Sequence, residues 1–483
     1  MTREYSGIRE SRTHTATVTD WGGESCRGAG NFRANCIGQA DRTFSQGLQC
    51  QQINSINALL SLADSAFIVH APIGCTGCCS GANDVYRVGQ MHRGNYAVKN
   101  ARILATNLDE RDIILGGEQK LRKAISLASE RYNPKAIFIF TSCASGIIGD
   151  DIEAIVADAQ KNTAPLLVPV HCEGFKSKVC ASGYDAAFLA IGKYILKDAP
   201  KGDTVPDLLN LFAPPSVSYL DQLEIERMLG EIGIRINYIP FYSSFEKLRT
   251  IPRAAASTAI CKVFADEFMV DLKEEYGIPF SHTIMPIGTR NTDKWYLGVA
   301  ELFGKTAEAK AYIARQREQF APLVQDIYNR LHGKRVFICG GTGRSFAAAA
   351  LVSDFGMKLV GLETPTFDND ALIDFDYLNG VHGSYEVDVA NMQPFEQVNL
   401  LQKLKPDVFV GVPSWAAKLG FPTTHVLDMK RPTLGYRNLV YLGNKMASQL
   451  ENPGYNKRLS AHARLPYRDS WYESDPFKFI KQY

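Results

Sequence analysis

Short apolar runs alternating with longer amphipathic stretches predict an α/β protein of three Rossmann-like domains, each a parallel sheet with helices on both faces. Two observations carry this. The runs SAFIVHAP, KAIFIFTSC and LLVPVHCEG are nearly continuous in apolar residues and end in proline, cysteine or glycine, as strands buried on both faces do. The pattern then recurs twice. PDLLNLFA leads to the helix YLDQLEIERMLGEIG and the strand IRINYIPF, and KRVFICGG leads to SFAAAALVSDFG, KLVGLET, DVFVGV and THVLDM.

Taken in order, residues 1–48 form a polar, Gly-rich extension without period, expected to wrap a partner or lie loosely over the surface. Segments 49–203, 204–330 and 331–440 are the three α/β domains. The second closes on KTAEAKAYIARQREQFAPLVQDIYNRLHG, whose helical spacing reads as a packed connector helix. Residues 441–483 end in RLPYRDSWYESDPFKFIKQY, a tail whose aromatic content suggests docking on a neighbouring subunit.

Bulk composition narrows the function classes. With 53 basic and 51 acidic residues the net charge is +2, which offers no electrostatic reason for a nucleic-acid or membrane partner. The polar start lacks an apolar core of signal-peptide length, and no later run approaches a membrane span, so a cytoplasmic location is expected. Eleven cysteines in a reducing compartment point to metal ligation or burial rather than disulfides. Cys339, inside RVFICGG, reads as a small buried hydrophobe.

Three cysteines share one kind of position. Cys75 and Cys143 stand at the carboxyl ends of the first and second strands, where open α/β sheets place ligands. Cys143 and Cys50 also open helices, whose backbone N–H groups favour a thiolate or an anionic cluster. No pair has zinc-finger or ferredoxin spacing; the local CxxCC of Cys75, Cys78 and Cys79 has no second pair to complete a zinc site. His70 reads as a satisfied core histidine, and His171 with Cys172 either faces the same crevice or belongs to loop packing. Cys261, in RAAASTAICKVFADEFMVDLKEEYGIPF, is placed on a helix, where a lone cysteine is usually core.

Together these segments resemble the α subunit of nitrogenase component 1 and its relatives. The resemblance covers most of the chain and rests on GLQC with Cys50, HAPIGC with Cys75, TSC and IIGDD with Cys143, VPVHCEGF, AIC and EEYGIPF around Cys261, and GKRVFICGG. It implies a P-cluster-like iron–sulfur cluster held by Cys50, Cys75 and Cys143 and shared with a β-like homologous subunit in an α2β2 heterotetramer. It also implies a nitrogenase-cofactor-like iron–sulfur cluster anchored by Cys261 in a central cavity between the domains, and an ATP-dependent [4Fe-4S] reductase protein as electron donor.

Departures from the dinitrogen-reducing pattern point elsewhere. The family's cofactor histidine aligns with Leu427, with His425 two residues earlier; its glutamine and histidine over the reactive face become Cys180 and Tyr184. Its cofactor arginine becomes Asn83, and its homocitrate lysine falls near Pro413. A pocket without those donors should reduce dinitrogen poorly. Both a methylthio-alkane reductase and an assembly scaffold tolerate their loss, and the resemblance of HCEGFKSK to the catalytic α subunits favours the reductase, which cleaves the C–S bond of a small thioether, with Tyr184 as proton donor and Asn83 and Cys180 beside it. The alternative is an assembly scaffold for the nitrogenase cofactor.

Overall fold

The computed structural model describes residues 9, 50–177, 179–199, 202–281, 284–365, 369–390, 393–412, 414–426 and 431–479. Its strands form three sheets, every pair parallel, so the expected α/β class with parallel sheets is borne out. The first sheet contains β1 (Ser65–Val69), β2 (Ile103–Ala105), β3 (Ala136–Phe140) and β4 (Leu166–Val170) in the order β2-β1-β3-β4. The second contains β5 (Val205–Phe212), β6 (Arg235–Ile239), β7 (Ala254–Ala259) and β8 (Phe280–Ser281) in the order β6-β5-β7-β8. The third contains β9 (Arg335–Cys339), β10 (Lys358–Thr364), β11 (Glu386–Val389), β12 (Val408–Val410) and β13 (Thr423–Thr424) in the order β11-β10-β9-β12-β13.

In each sheet the strand order reverses beside the first strand. The switch points lie between β1 and β3, β5 and β7, and β9 and β12. Crevices for ligands open at the carboxyl ends of strands at such points. Cys75 follows β1, Cys143 follows β3, Cys261 follows β7 and Cys339 ends β9.

Packing groups the chain into two compact units. One holds the first two sheets, within 49–219 and 233–282; the other holds the third sheet, with 220–232 and 283–483. These units are drawn differently from the segments 49–203, 204–330 and 331–440. From Leu220 onward the helix Tyr219–Gly230 groups with the third sheet, and its Asp221 Oδ1 accepts from the backbone N–H groups of Thr433 at 2.6 Å and Leu434 at 2.7 Å. Both β1 and β3 are buried along their whole length, as their apolar runs require. The connector helix Thr306–Leu331 buries Ala309, Tyr312, Ile313, Phe320, Ile327 and Leu331 along one stripe.

Two expectations need correction. Cys261 is not helical: the preceding AAASTA is β7, paired to β5 and β8, and the helix begins only at Asp266. Alanine favours helices and is depleted in strands, but here small side chains leave room for rings. Ala259 shares a core with Phe188, Phe212, Phe264 and Phe268, whose centroids stand 5.1–5.7 Å apart. The second concerns the aromatic tail. Trp471 is buried against Phe395 and Phe479 of its own chain, and its indole N–H donates to the Phe395 carbonyl at 2.7 Å. These rings dock within the chain because the helix Pro394–Leu404 offers them an apolar face.

Residues 1–49, Arg9 excepted, lie outside the described residues, and with them the expectation for the extension. The Arg9 guanidinium is buried in a two-pronged pair with Asp266, at 2.7 and 3.2 Å. Among the described residues no helix is long and apolar enough to cross a membrane.

The helix Gln51–Leu59 lies so close to the helix Ser182–Ala190 that a Cβ on Gly183 would stand 2.1 Å from the Gln51 carbonyl oxygen. Backbone cannot rotate out of the way, so Gly183→Ala should cost at the upper end of the roughly 1–3 kcal/mol typical of overpacking. Urea unfolding followed by circular dichroism checks this; an unchanged midpoint would show that the two helices are not in contact there.

Candidate functional site

Cys50 and Cys143 are brought together by separate devices, and Cys75 lies near enough to feel the charge of both. Cys50 is the N-cap of the helix Gln51–Leu59 in extended conformation, and its side chain makes no capping bond, which leaves the thiol available. Polar side chains pin that helix from several sides. Gln52 Nε2 donates to the Thr141 carbonyl at 2.7 Å, Asn54 Nδ2 to the Cys180 carbonyl at 2.8 Å, and Ser55 Oγ to the Gly183 carbonyl at 2.6 Å. All three are buried, so each bond satisfies groups that would otherwise cost about 1–3 kcal/mol.

Cys143 is the first residue of the helix Cys143–Ile148, entered through a capping box between Ser142 and Ser145. Ser142 Oγ donates to the His70 carbonyl at 2.8 Å, tying this turn to the end of β1. Cys75 lies in the turn Ile73–Gly77 that follows β1 through Pro72.

Gly174 measures the convergence. A Cβ there would stand 3.2 Å from Cys50 Cβ, 3.7 Å from Cys50 Sγ and 3.4 Å from Cys143 Sγ. The thiol of Cys75 is pushed up by burial and then by the charges of Cys50, Cys143 and Cys78, so thiolates at these positions repel one another. Cationic metal relieves that repulsion, and the donor set suits iron–sulfur chemistry. Among the described residues no three His, Cys, Asp or Glu side chains are gathered closely enough to hold a single ion. Cys78 is exposed, while Cys79 is buried with its thiol pushed up to about 12 by desolvation; the CxxCC run therefore does not close on one point.

The nearby histidines have other partners. His70 is buried with Thr106 Oγ1 at 3.1 Å and Asp150 Oδ2 at 3.0 Å, the satisfied core histidine expected. Burial lowers its pKa, against the pull of Asp150. His171 Nε2 meets Glu153 Oε1 at 2.8 Å, and bonds to Glu153 and Glu173 raise its pKa to about 9. Burial would raise the Glu173 carboxyl, but His171 and Lys176 outweigh it and hold the group at about 2. Cys172 is buried, its backbone N–H bonded to Thr141 Oγ1 and its Sγ donating to the Thr141 carbonyl, which is loop packing.

The second candidate centre lies in the same compact unit. Cys261, half-buried after β7, packs with Tyr184 against Val179, Ala181 and Val263. The Tyr184 ring meets Phe264 edge-on at 5.0 Å. Cys180 is buried beside Asn54, and desolvation pushes its thiol up to about 11. Asn83 sits on the helix Ser80–His92 with its amide engaged: Oδ1 accepts from the Ala101 N–H at 2.8 Å and Nδ2 donates to Asn100 at 3.3 Å. Both are thus held in the scaffold, whereas Tyr184 stands beside Cys261. His425 is half-buried after β13 in the other unit; Leu427 and Pro413 lie outside the described residues.

Sequence reasoning missed several contributors. Gly174 carries its meaning only through what approaches it. Gln51, Gln52, Asn54 and Ser55 read as an ordinary polar face but are buried. Exposed apolar side chains went unremarked: Ile147 and Phe175 beside the Cys143 turn, and Ile113, Ile114 and Leu115 on the helix Glu110–Leu115, with Ile114 80% and Ile147 76% exposed. At the carboxyl edge of the third sheet Glu363 and Asp388 are buried, and Gln397 Nε2 donates to Glu363 Oε2 at 2.7 Å and to Cys339 Sγ at 3.3 Å. Cys339 packs on Phe337, Leu401 and Phe409, much as a small hydrophobe would.

Parallel sheets that present thiols at their switch points define an α/β protein with the donor set of an iron–sulfur oxidoreductase. The family described as Nitrogenase component 1 type Oxidoreductase matches over residues 50–451, and the chain belongs to it. The nitrogenase iron-molybdenum cofactor biosynthesis protein NifE of Methanococcus maripaludis is 28% identical over 362 residues, 73% of this chain and 72% of the relative. The nitrogenase molybdenum-iron protein alpha chain of Methanococcus maripaludis is 24% identical over 409 residues, 82% and 84% of the two chains. A solved structure of nitrogenase Cp1 at pH 5 superposes with a TM-score of 0.70 at 20% identity, covering 88% of this chain and 92% of that one, and shows the same fold.

Two outcomes are expected. Gly174→Ala should leave the far-ultraviolet circular dichroism unchanged but shift Cys50 and Cys143 by a few tenths of an ångström, read as an altered rate of alkylation of those thiols; an unchanged rate would mean that they do not close over Gly174. Because the folded pKa of His171 is raised, its stabilisation is complete below the ordinary imidazole value near 6.5, falls as pH rises and is gone above about 9. His171→Gln should therefore flatten the melting temperature between pH 6.5 and pH 9, and an unchanged slope would assign that dependence to another group.

Proposed function

We propose that this chain is the catalytic α-type subunit of a cytoplasmic, nitrogenase-like methylthio-alkane reductase. It works as an α2β2 heterotetramer with a β-like partner and receives electrons from an ATP-dependent [4Fe-4S] reductase protein. Cys50, Cys75 and Cys143 hold this chain's half of a P-cluster-like centre, and Cys261 anchors a nitrogenase-cofactor-like cluster. When bound, these iron–sulfur centres supply low-potential electrons one at a time.

The observation that carries the reading is the setting of Cys261. Cys261 and the Tyr184 ring, both half-buried, pack on Val179, Ala181 and Val263, an apolar wall that suits a neutral, weakly polar thioether. Cleavage consumes two electrons and two protons: dimethyl sulfide gives methane and methanethiol, and 2-(methylthio)ethanol gives ethene, methanethiol and water. The reductase supplies the electrons. Tyr184 holds one proton at its hydroxyl oxygen for delivery to the departing fragment. The exposed ridge of Ile113, Ile114 and Leu115, next to the helix that begins at Cys143, supports a docking surface for a partner beside the relay thiols.

A second reading is favoured by one specific observation, the likeness to proteins named for iron-molybdenum cofactor biosynthesis. In it the same cysteines hold a maturing cofactor that is passed on rather than used.

Anaerobic turnover of the complex with its reductase separates the two. ATP-dependent release of methanethiol with hydrocarbon is expected from dimethyl sulfide or 2-(methylthio)ethanol. An iron-loaded complex that releases neither, yet restores activity to cofactor-free nitrogenase, would establish the assembly role instead. Tyr184→Phe should lower turnover roughly 10²-fold, the lower end for a lost general acid, without loss of iron. Undiminished turnover in that variant would remove Tyr184 from the mechanism.

A further inference from the structure

Arg9 is buried where the two elements that carry Tyr184 and Cys261 meet. We propose that it is a positioning residue, a clip that holds the Cys261 thiol against the Tyr184 ring. Its backbone N–H donates to Ser182 Oγ at 2.8 Å, on the helix Ser182–Ala190 that carries Tyr184. Its guanidinium donates to both carboxylate oxygens of Asp266, at 3.2 and 2.7 Å, and Nη1 lies 3.9 Å from Asp185 Oδ2. Asp266 opens the helix Asp266–Tyr276 and directly follows the turn 261–265, which begins at Cys261. One residue therefore grips both flanks of Tyr184 and the far end of the Cys261 turn. Ser182, Asp185 and Asp266 are all buried.

Two observations show why this turn needs a clip. Ala265, next to Asp266, has φ +65°, a left-handed conformation that L side chains rarely adopt, and it is buried. Such a residue persists only where its surroundings overdetermine it, and the Arg9–Asp266 pair is anchored on its immediate neighbour. The second observation is the packing between the two elements. Tyr184 meets Phe264 edge-on at 5.0 Å, and Phe188 stacks on Phe268 at 5.3 Å. Ring contacts of this kind set a spacing but permit sliding, whereas a planar guanidinium held at both carboxylate oxygens also fixes direction. A buried ion pair adds little net stability over apolar side chains of similar volume, so what this pair supplies is register.

The consequence for turnover rests on the reductase reading; the consequence for the thiol does not. The test is alkylation of the iron-free full-length chain with iodoacetamide, each cysteine followed by mass spectrometry. Arg9→Ala should speed alkylation of Cys261 about tenfold or more, because it leaves a buried carboxylate uncompensated beside the turn, while Cys172 and Cys339 keep their parent rates. Arg9→Lys retains a charge for Asp266 but not the fork, and its Cys261 rate should fall between the two. In the complex, Arg9→Ala should lower kcat roughly 10- to 100-fold with KM near the parent value, the mark of a displaced proton donor rather than a lost substrate contact. A common rise at all three cysteines in both variants would reduce Arg9 to a merely structural role and overturn the proposal. An unchanged Cys261 rate in both variants, or a KM that rises while kcat holds, would overturn it as well. A parent complex that releases no methanethiol fails the reductase reading alone, and the Cys261 rates still decide on Arg9.

Discussion

The cysteine site depends on one close approach, that of the helix Gln51–Leu59 to the helix Ser182–Ala190 at Gly183. With no Cβ at that glycine, Ser55 Oγ reaches the Gly183 carbonyl at 2.6 Å and the Gln51 backbone lies against the glycine itself. Cys50 is the cap of the first of these helices, so its sulfur can be no better placed than the helix is. Gly174 and the Ser142 capping box then set the remaining distances. The chemistry of the thiols is thus delivered by glycines and amides that carry none themselves.

The same logic recurs through the fold. Each sheet reverses its strand order beside its first strand, and each reversal carries a cysteine at a strand end. In the first sheet two such strands adjoin, so Cys75 and Cys143 face one crevice, while Cys50 enters from a helix that packs across it. In the second sheet one strand end contributes, and Cys261 meets a wall of apolar side chains. The contrast is chemical as well as geometric: the first site sets mutually repelling thiols near exposed apolar side chains, the second sets one half-buried thiol and one tyrosine ring on an apolar wall.

Much of this was legible in the sequence, for physical reasons. Strands buried on both faces must be continuously apolar, so β1, β3, β4 and β9 stood out, and the cysteines at their ends came with them. Cys261 was misplaced because AAASTA follows helix propensity, whereas its conformation is decided by pairing to β5 and by the rings it must admit, neither of which is local. Gly174 and Gly183 were invisible for the converse reason: their role is space, and space belongs to the neighbours. The aromatic tail misled because exposed-looking rings imply a partner without saying that the partner is the same chain.

In the proposed function this chain supplies two separate centres, one at Cys50, Cys75 and Cys143 and one at Cys261. Mössbauer spectroscopy of the iron-57-labelled complex tests it most directly, comparing the parent with Cys143→Ala and with Cys261→Ala. The parent should show two separable pools of iron, the first variant losing one and the second losing the other. Loss of the same component in both variants, or of none in either, would contradict it.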